Sequence, residues 1–204
     1  MLNEIIQSTE FISALIGSVI GGVVAGFFSI LAVNKTHIHQ NLLLEKSNEE
    51  LISSLLQAIH DEIETVFERY QETMGARLES LHDGQPLNYY YPVVSDFFTV
   101  YNGNTFLIGK IKDNDLRRQI IRTYTLAKGM TDSFRLNNDL VNKLEFANKL
   151  FLETKLDSHK EQMIAHQHGL IIYADSLKKS HAQLKSEVKT LLRALQKNGV
   201  LNEK

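Results

Sequence analysis

FISALIGSVIGGVVAGFFSILAV, residues 11–33, carries no charged side chain from end to end. As a helix it reaches about 34 Å at about 1.5 Å per residue, against a bilayer hydrocarbon core of about 30 Å. Three readings compete. A cleaved signal peptide requires a basic leading segment, a shorter apolar core and a small-x-small cleavage site. Residues 1–10, MLNEIIQSTE, hold Glu4 and Glu10 and no Lys or Arg, and the run ends in Leu31-Ala32-Val33-Asn34 without a good cleavage pattern. A buried core helix seldom stays uncharged over this length. The favoured reading is a retained transmembrane helix over 11–33, after a short non-cytoplasmic tail, 1–10, and before a juxtamembrane stalk, 34–46.

Flanking charge sets the expected orientation. Lys35 and Lys46, with His37 and His39, follow the span, and the leading residues are acidic. The positive-inside rule then predicts the N-terminus outside and a cytoplasmic C-terminal domain, 47–204. The absence of cysteine agrees with a chain that needs no disulfide framework.

At 100° per residue the span is two-sided. Ala14, Gly17, Ser18, Gly21, Gly22, Ala25, Gly26 and Ser29 fall on one half, and Ile12, Ile16, Val19, Ile20, Val23, Phe27 and Ile30 on the other. Gly17-xxx-Gly21 and Gly22-xxx-Gly26 are small-xxx-small pairs. Lipid tails are as apolar as leucine, so helices associate in bilayers by close packing, which small residues permit. The pattern predicts self-association of the span around a narrow seam containing Ser18 and Ser29. The competing reading is that Gly and Ala are simply frequent in membrane helices. Nothing in the span is polar enough to select an ion.

The rest of the chain is long enough for one domain with a core and holds only two prolines, Pro86 and Pro92. No Gly or Pro lies between Gly26 and Gly75, so the membrane helix can continue outward as a stalk. Ser47-Asn48-Glu49-Glu50 has the form of a capping box and predicts a helix start or re-start there. From Ile52 to Leu81 apolar residues recur every three or four positions, an amphipathic helix running to His82. A turn at Asp83-Gly84-Gln85-Pro86 leads to an extended Tyr89–Val94, then to a short helix from Phe97 to Tyr101 that Ser95-Asp96 would cap and Asn102-Gly103 would end. A second membrane span over 87–109 is disfavoured, because a central Asp alone costs about 3 kcal/mol on the insertion scale. Asp113–Asp115 predicts the start of a third helix reaching Thr154, kinked or split at Gly129. A last helix after Asp157-Ser158 runs to Lys197 and stops at Asn198-Gly199. Leu177, His181, Leu184, Val188, Leu191 and Leu195 form a heptad seam on it, directed at another chain or at a neighbouring helix of the same chain. The predicted class is all-α: a single N-terminal transmembrane helix followed by a cytoplasmic helical bundle with long amphipathic helices.

A net charge of −2 conceals an uneven layout. Residues 45–74 are acidic, whereas Lys110, Lys112, Arg117, Arg118 and Arg122 make a basic cluster. Complementary solvated helix faces explain this without a ligand. The sharper reading is an anion or lipid-headgroup patch. The cluster lacks aromatic interleaving and any nucleic-acid motif, so direct nucleic-acid binding is not expected. Among the eight histidines, His37/His39 and His166/His168 are spaced i,i+2, which splays side chains about 200° apart on a helix. His159 and His166 share a face but lie two turns apart, and His60-Asp61-Glu62-Ile63-Glu64 lacks the second histidine of a zinc-protease motif. His181, on the apolar seam, reads as a hydrogen-bonded core histidine or as a pH sensor. No nucleophile elbow, phosphate loop, dinucleotide fingerprint or cysteine is present. The expectation is a protein that is not an enzyme and needs no metal or cofactor.

A short acidic tail, a Gly-rich span (IGSVIGGVVAGFF) and a helical domain together resemble small bacterial membrane effectors of phage-defence systems, such as retron-associated transmembrane proteins. The resemblance covers the architecture and carries over no functional residue. It implies an antiviral, abortive-infection role: a cytoplasmic protein or ribonucleoprotein partner restrains the helical domain, and release lets the spans cluster and damage the inner membrane. Two other expectations stand beside it. One is a non-toxic anchor or scaffold that recruits a protein through the heptad seam or the basic patch. The other is a lipid- or nucleotide-responsive sensor built on Lys110–Arg122.

Overall fold

The fold was analysed in a computed structural model that describes residues 9–93 and 97–200. Every element in it is helical, and no strand occurs among the described residues. The chain divides into two compact units, residues 1–51 and 52–204.

The first unit holds most of helix α1, Thr9–Tyr70. Side chains from 11 to 51 are all exposed. Within α1 lies the only described stretch that is long and apolar enough to cross a membrane, and none of it is buried. The capping-box expectation at Ser47 is corrected: Ser47–Glu50 lie inside continuous helix. With no Gly or Pro nearby to interrupt the hydrogen-bond ladder, helix continuation wins over a local capping signal. The predicted tail, 1–10, falls largely outside the described residues, as does the Ser95-Asp96 cap.

In the second unit the chain continues from Ile52 to Tyr70 within α1, then through a π-helical turn, Gln71–Gly75, and a short α2, Ala76–Ser80. The predicted helix to His82 therefore ends slightly early and contains a widened turn. A turn at Asp83-Gly84 and a stretch without regular structure follow. Two short helices come next, α3, Thr99–Gly103, and α4, Thr105–Ile108. Neither is long enough to cross a membrane.

Helix α5, Asn114–Thr154, starts where Asp113 accepts hydrogen bonds from the backbone N–H groups of Asp115 (2.9 Å) and Leu116 (3.0 Å). It runs through Gly129 unbroken, so the predicted split does not occur. One helical glycine costs only about 1 kcal/mol relative to alanine, too little to interrupt a helix whose flanking turns are packed. Helix α6 is Asp157–Lys197. Its end is closed by Gly199 at φ 87°, with the Val200 N–H donating to the Leu195 carbonyl at 3.2 Å. Only glycine adopts that backbone freely.

The core sits between residues 52–70, α5 and α6. All six seam residues from Leu177 to Leu195 are buried, so the heptad pattern is satisfied within one chain. Each buried leucine contributes about 1.5–3 kcal/mol of apolar transfer. Away from this core the α5–α6 hairpin thins out: between residues 139 and 169 only Val141 and Ala147 are buried.

Side chains of α5 and α1 hold the segments that lack regular structure. Asn137 Nδ2 donates to the carbonyls of Leu87 and Tyr89, both at 3.2 Å, and Asn138 bonds both polar groups of Tyr91. Glu62 closes the N-terminus of α3 by accepting from the N–H of Val100 at 2.7 Å and of Tyr101 at 3.1 Å. Phe98 stands in the left-handed region, φ 69° and ψ 44°, a conformation that costs a side-chain-bearing residue about 1–2 kcal/mol. Its ring is buried edge-on against Tyr124, centroids 5.3 Å apart.

Candidate functional site

The first candidate is the small-residue half of the span. Ala14, Gly17, Ser18, Gly21, Gly22, Ala25, Gly26 and Ser29 are all exposed. A Cβ placed on Gly17, Gly21, Gly22 or Gly26 would meet nothing within 4 Å. These glycines therefore serve no close approach inside the described chain. Ser18 donates its hydroxyl proton to the Leu15 carbonyl at 2.8 Å, three residues back in its own helix.

A second candidate lies wholly in the second unit, a cavity of about 530 Å³ that is partly open to solvent. Ile63 and Tyr70 line it from α1, Met130 and Phe134 from α5, and Leu184 and Val188 from α6. The apolar periodicity of those three helices aims these side chains inward. Arg69 is the only charged residue among the described lining residues; it is exposed, and its guanidinium has no hydrogen-bond or ion-pair partner among them.

A polar chain backs one wall of the cavity. The Tyr70 hydroxyl lies 2.8 Å from His181 Nδ1, and His181 Nε2 lies 3.0 Å from Glu79 Oε1. Lys185 Nζ donates to the same oxygen at 2.6 Å, and Gln71 Nε2 donates to Glu79 Oε2 at 3.0 Å. The hydrogen bond from Lys185, then that from His181, hold the Glu79 carboxyl down at a pKa of about 2. Burial pushes the Tyr70 phenol up. The Glu79 carboxylate accepts, so His181 donates to it through Nε2–H, and the Tyr70 hydroxyl bonds Nδ1. The core-histidine reading of His181 describes this arrangement: the ring is buried and both nitrogens are bonded. Gly75 in the π turn makes room for it. A Cβ there would lie 2.6 Å from Gln71 Oε1 and 3.1 Å from His181 Cε1.

The basic cluster has become a set of individual structural contacts. Arg117 donates to the Ile111 carbonyl and to Asn114 Oδ1, fastening the loop before α5. Arg122 pairs with Glu187 of α6 at 2.6 Å. Arg118 lies 3.9 Å from Asp115, and the Lys110 ammonium stands over the Phe106 ring at 4.8 Å. Lys112 is also engaged. The ion-pair partner of Arg122, Glu187, lies on α6 and outside the acidic run at 45–74.

His60 Nδ1 lies 3.2 Å from Asp61 and 3.8 Å from Glu64 within α1, but no group of three or more His, Asp or Glu side chains suited to a metal occurs among the described residues. Sequence reasoning missed Arg69, which lines a cavity that no motif announces. It also missed Glu62, Asn137 and Asn138, although paired asparagines within an apolar helical period were a readable signal of buried backbone capture. In comparison with known proteins, no family model matches this chain, and neither a curated protein nor a solved structure matches it.

Proposed function

We propose that this chain is a membrane-anchored helical effector that acts without catalysis, of the kind that serves bacterial antiviral defence. In this reading the 11–33 span sits in the inner membrane with its N-terminus outside, the helical domain is cytoplasmic, and self-association of the small-residue face perturbs the bilayer. The observation that carries the reading is the uncharged stretch within α1 that is helical, long enough to cross a bilayer and wholly unburied. Left in water, so much contiguous apolar surface would drive aggregation; lipid is the environment that suits it. A cytoplasmic protein or ribonucleoprotein partner restrains the domain until infection.

The test is expression in bacteria with a membrane-potential dye. Wild type is expected to depolarise the cells, and Gly21→Leu or Gly22→Leu to abolish this. Because a Cβ on either glycine would meet no other part of its own chain within 4 Å, a loss of effect reports contacts made outside the chain. Normal potential at high wild-type expression, with no partner present, rejects the effector reading. Unchanged activity after exchanging 11–33 for an unrelated apolar helix favours the plain anchor instead. The buried seam on α6 is already used within the chain, which removes it as a recruiting surface for that alternative.

A further inference from the structure

We propose that the cavity beside Tyr70 binds a single-chain amphiphile with an anionic headgroup, its hydrocarbon inside and its head on Arg69. Three observations converge. The volume, about 530 Å³, falls within the range of about 300–1,000 Å³ typical of small-molecule sites. The interior offers little to a polar ligand, because most of its lining is apolar and three of its six hydroxyls are already bonded within the chain. Tyr70 bonds His181, Thr73 donates to the Arg69 and Tyr70 carbonyls, and Thr131 donates to the Ala127 carbonyl. A ligand body rich in acceptors would lose its water here and find only the Thr65, Tyr89 and Tyr91 hydroxyls in return, whereas a hydrocarbon body loses no hydrogen bonds on entering.

The cavity edge is different. Arg69 brings a permanent cation with five donors, and no described carboxylate occupies it. One exposed cation above an apolar chamber is complementary to one anion on one acyl chain. A fatty acid carboxylate and a lysophospholipid phosphodiester share that chemistry. Arg69 lies outside the basic cluster that the sequence offered for lipid recognition, so the two sites are separable by substitution. The proposal stands whether or not the span self-associates.

Photo-crosslinking of the full chain in phosphatidylcholine nanodiscs tests it. The probes are diazirine-bearing palmitate, diazirine-bearing lysophosphatidylglycerol and diazirine-bearing hexadecanol, with adducts mapped by mass spectrometry. Adducts within 63–70 and 127–134 are expected from one or both anionic probes, and which of them labels more strongly identifies the headgroup. Ala127→Phe should occlude the chamber and remove these adducts. Since that variant also threatens folding, Arg69→Glu on the exposed edge is the second arm. It should lower chamber labelling about tenfold, the scale of one charge-assisted contact, while leaving the circular dichroism spectrum unchanged. Three results overturn the proposal: equal labelling of the chamber by hexadecanol, labelling confined to 11–33, or labelling indifferent to Arg69→Glu.

Discussion

Asn138 grips Tyr91 by both polar groups of its backbone: Oδ1 accepts the Tyr91 N–H at 2.9 Å and Nδ2 donates to the Tyr91 carbonyl at 2.6 Å. One side chain does here what a neighbouring strand does in a sheet. Replacement by alanine strands two backbone groups where little water reaches. Asn138→Ala should therefore destabilise the helical unit by about 2–4 kcal/mol. The chain has no tryptophan, so urea unfolding of the detergent-solubilised protein is followed by circular dichroism. A loss below about 0.5 kcal/mol, the level of an indifferent surface change, would contradict this account.

Glu62 is a hub of the same kind. Besides the two α3 N–H groups, its Oε2 accepts from the Tyr124 hydroxyl at 2.8 Å. Burial pushes the Tyr124 phenol up, so it remains a donor. Tyr124→Phe should cost about 1 kcal/mol and Glu62→Ala about 2–4 kcal/mol. In the Glu62→Ala background the tyrosine change should be neutral or favourable, because it removes a stranded hydroxyl. Additive losses in this double-mutant cycle would show that the two residues are not coupled.

Acid should loosen the contact between α2 and α6. The Glu79 carboxyl is held at about 2 rather than its ordinary 4.5. A depressed carboxylate stabilises the fold above its unfolded value and loses that contribution as pH falls toward its folded value. Melting temperature should therefore decline between pH 4.5 and about 2. Glu79→Gln should flatten that part of the profile, and parallel profiles for the two proteins would exclude Glu79 as a source.

Gly75→Ala sets two effects against each other. Alanine gains about 1 kcal/mol of helix propensity. Its Cβ would also displace the Gln71 amide, 2.6 Å away, and with it the bond to Glu79. The net change in wild type should be near zero or unfavourable. With Gln71→Ala already in place, the same substitution should be less unfavourable or stabilising, limited by the His181 ring at 3.1 Å. Equal effects in the two backgrounds would mean that Gln71 is not the obstacle.

Much of the helical layout was readable from periodicity and caps. Asp113 opens α5, Thr154 ends it, and Lys197 ends α6 before Asn198-Gly199, as those residues predict. The apolar span was readable as well, since length and absence of charge need no tertiary information. What escaped was decided by packing. Gly129 is harmless because the surrounding turns of α5 carry Ala127 and Met130 into the core. Ser47 caps nothing because the helix before it never stops. The π turn brings Tyr70 and Gly75 against His181, more than a hundred residues away, a meeting that local pattern cannot foresee. The cavity was invisible for the same reason: its walls come from three separate helices and the segment before α3, each ordinary when read alone.

The sparse interior of the α5–α6 hairpin between residues 139 and 169 has a mechanical consequence. With little apolar surface hidden there, opening from the Thr154–Asp157 tip costs far less than parting the seam from Leu177 to Leu195. Amide hydrogen exchange should be fastest at that tip and slow progressively toward Ala127 and Leu184. A hairpin graded in this way can unzip by several turns and re-close without melting the rest, so its outer third can change shape on binding at small energetic expense.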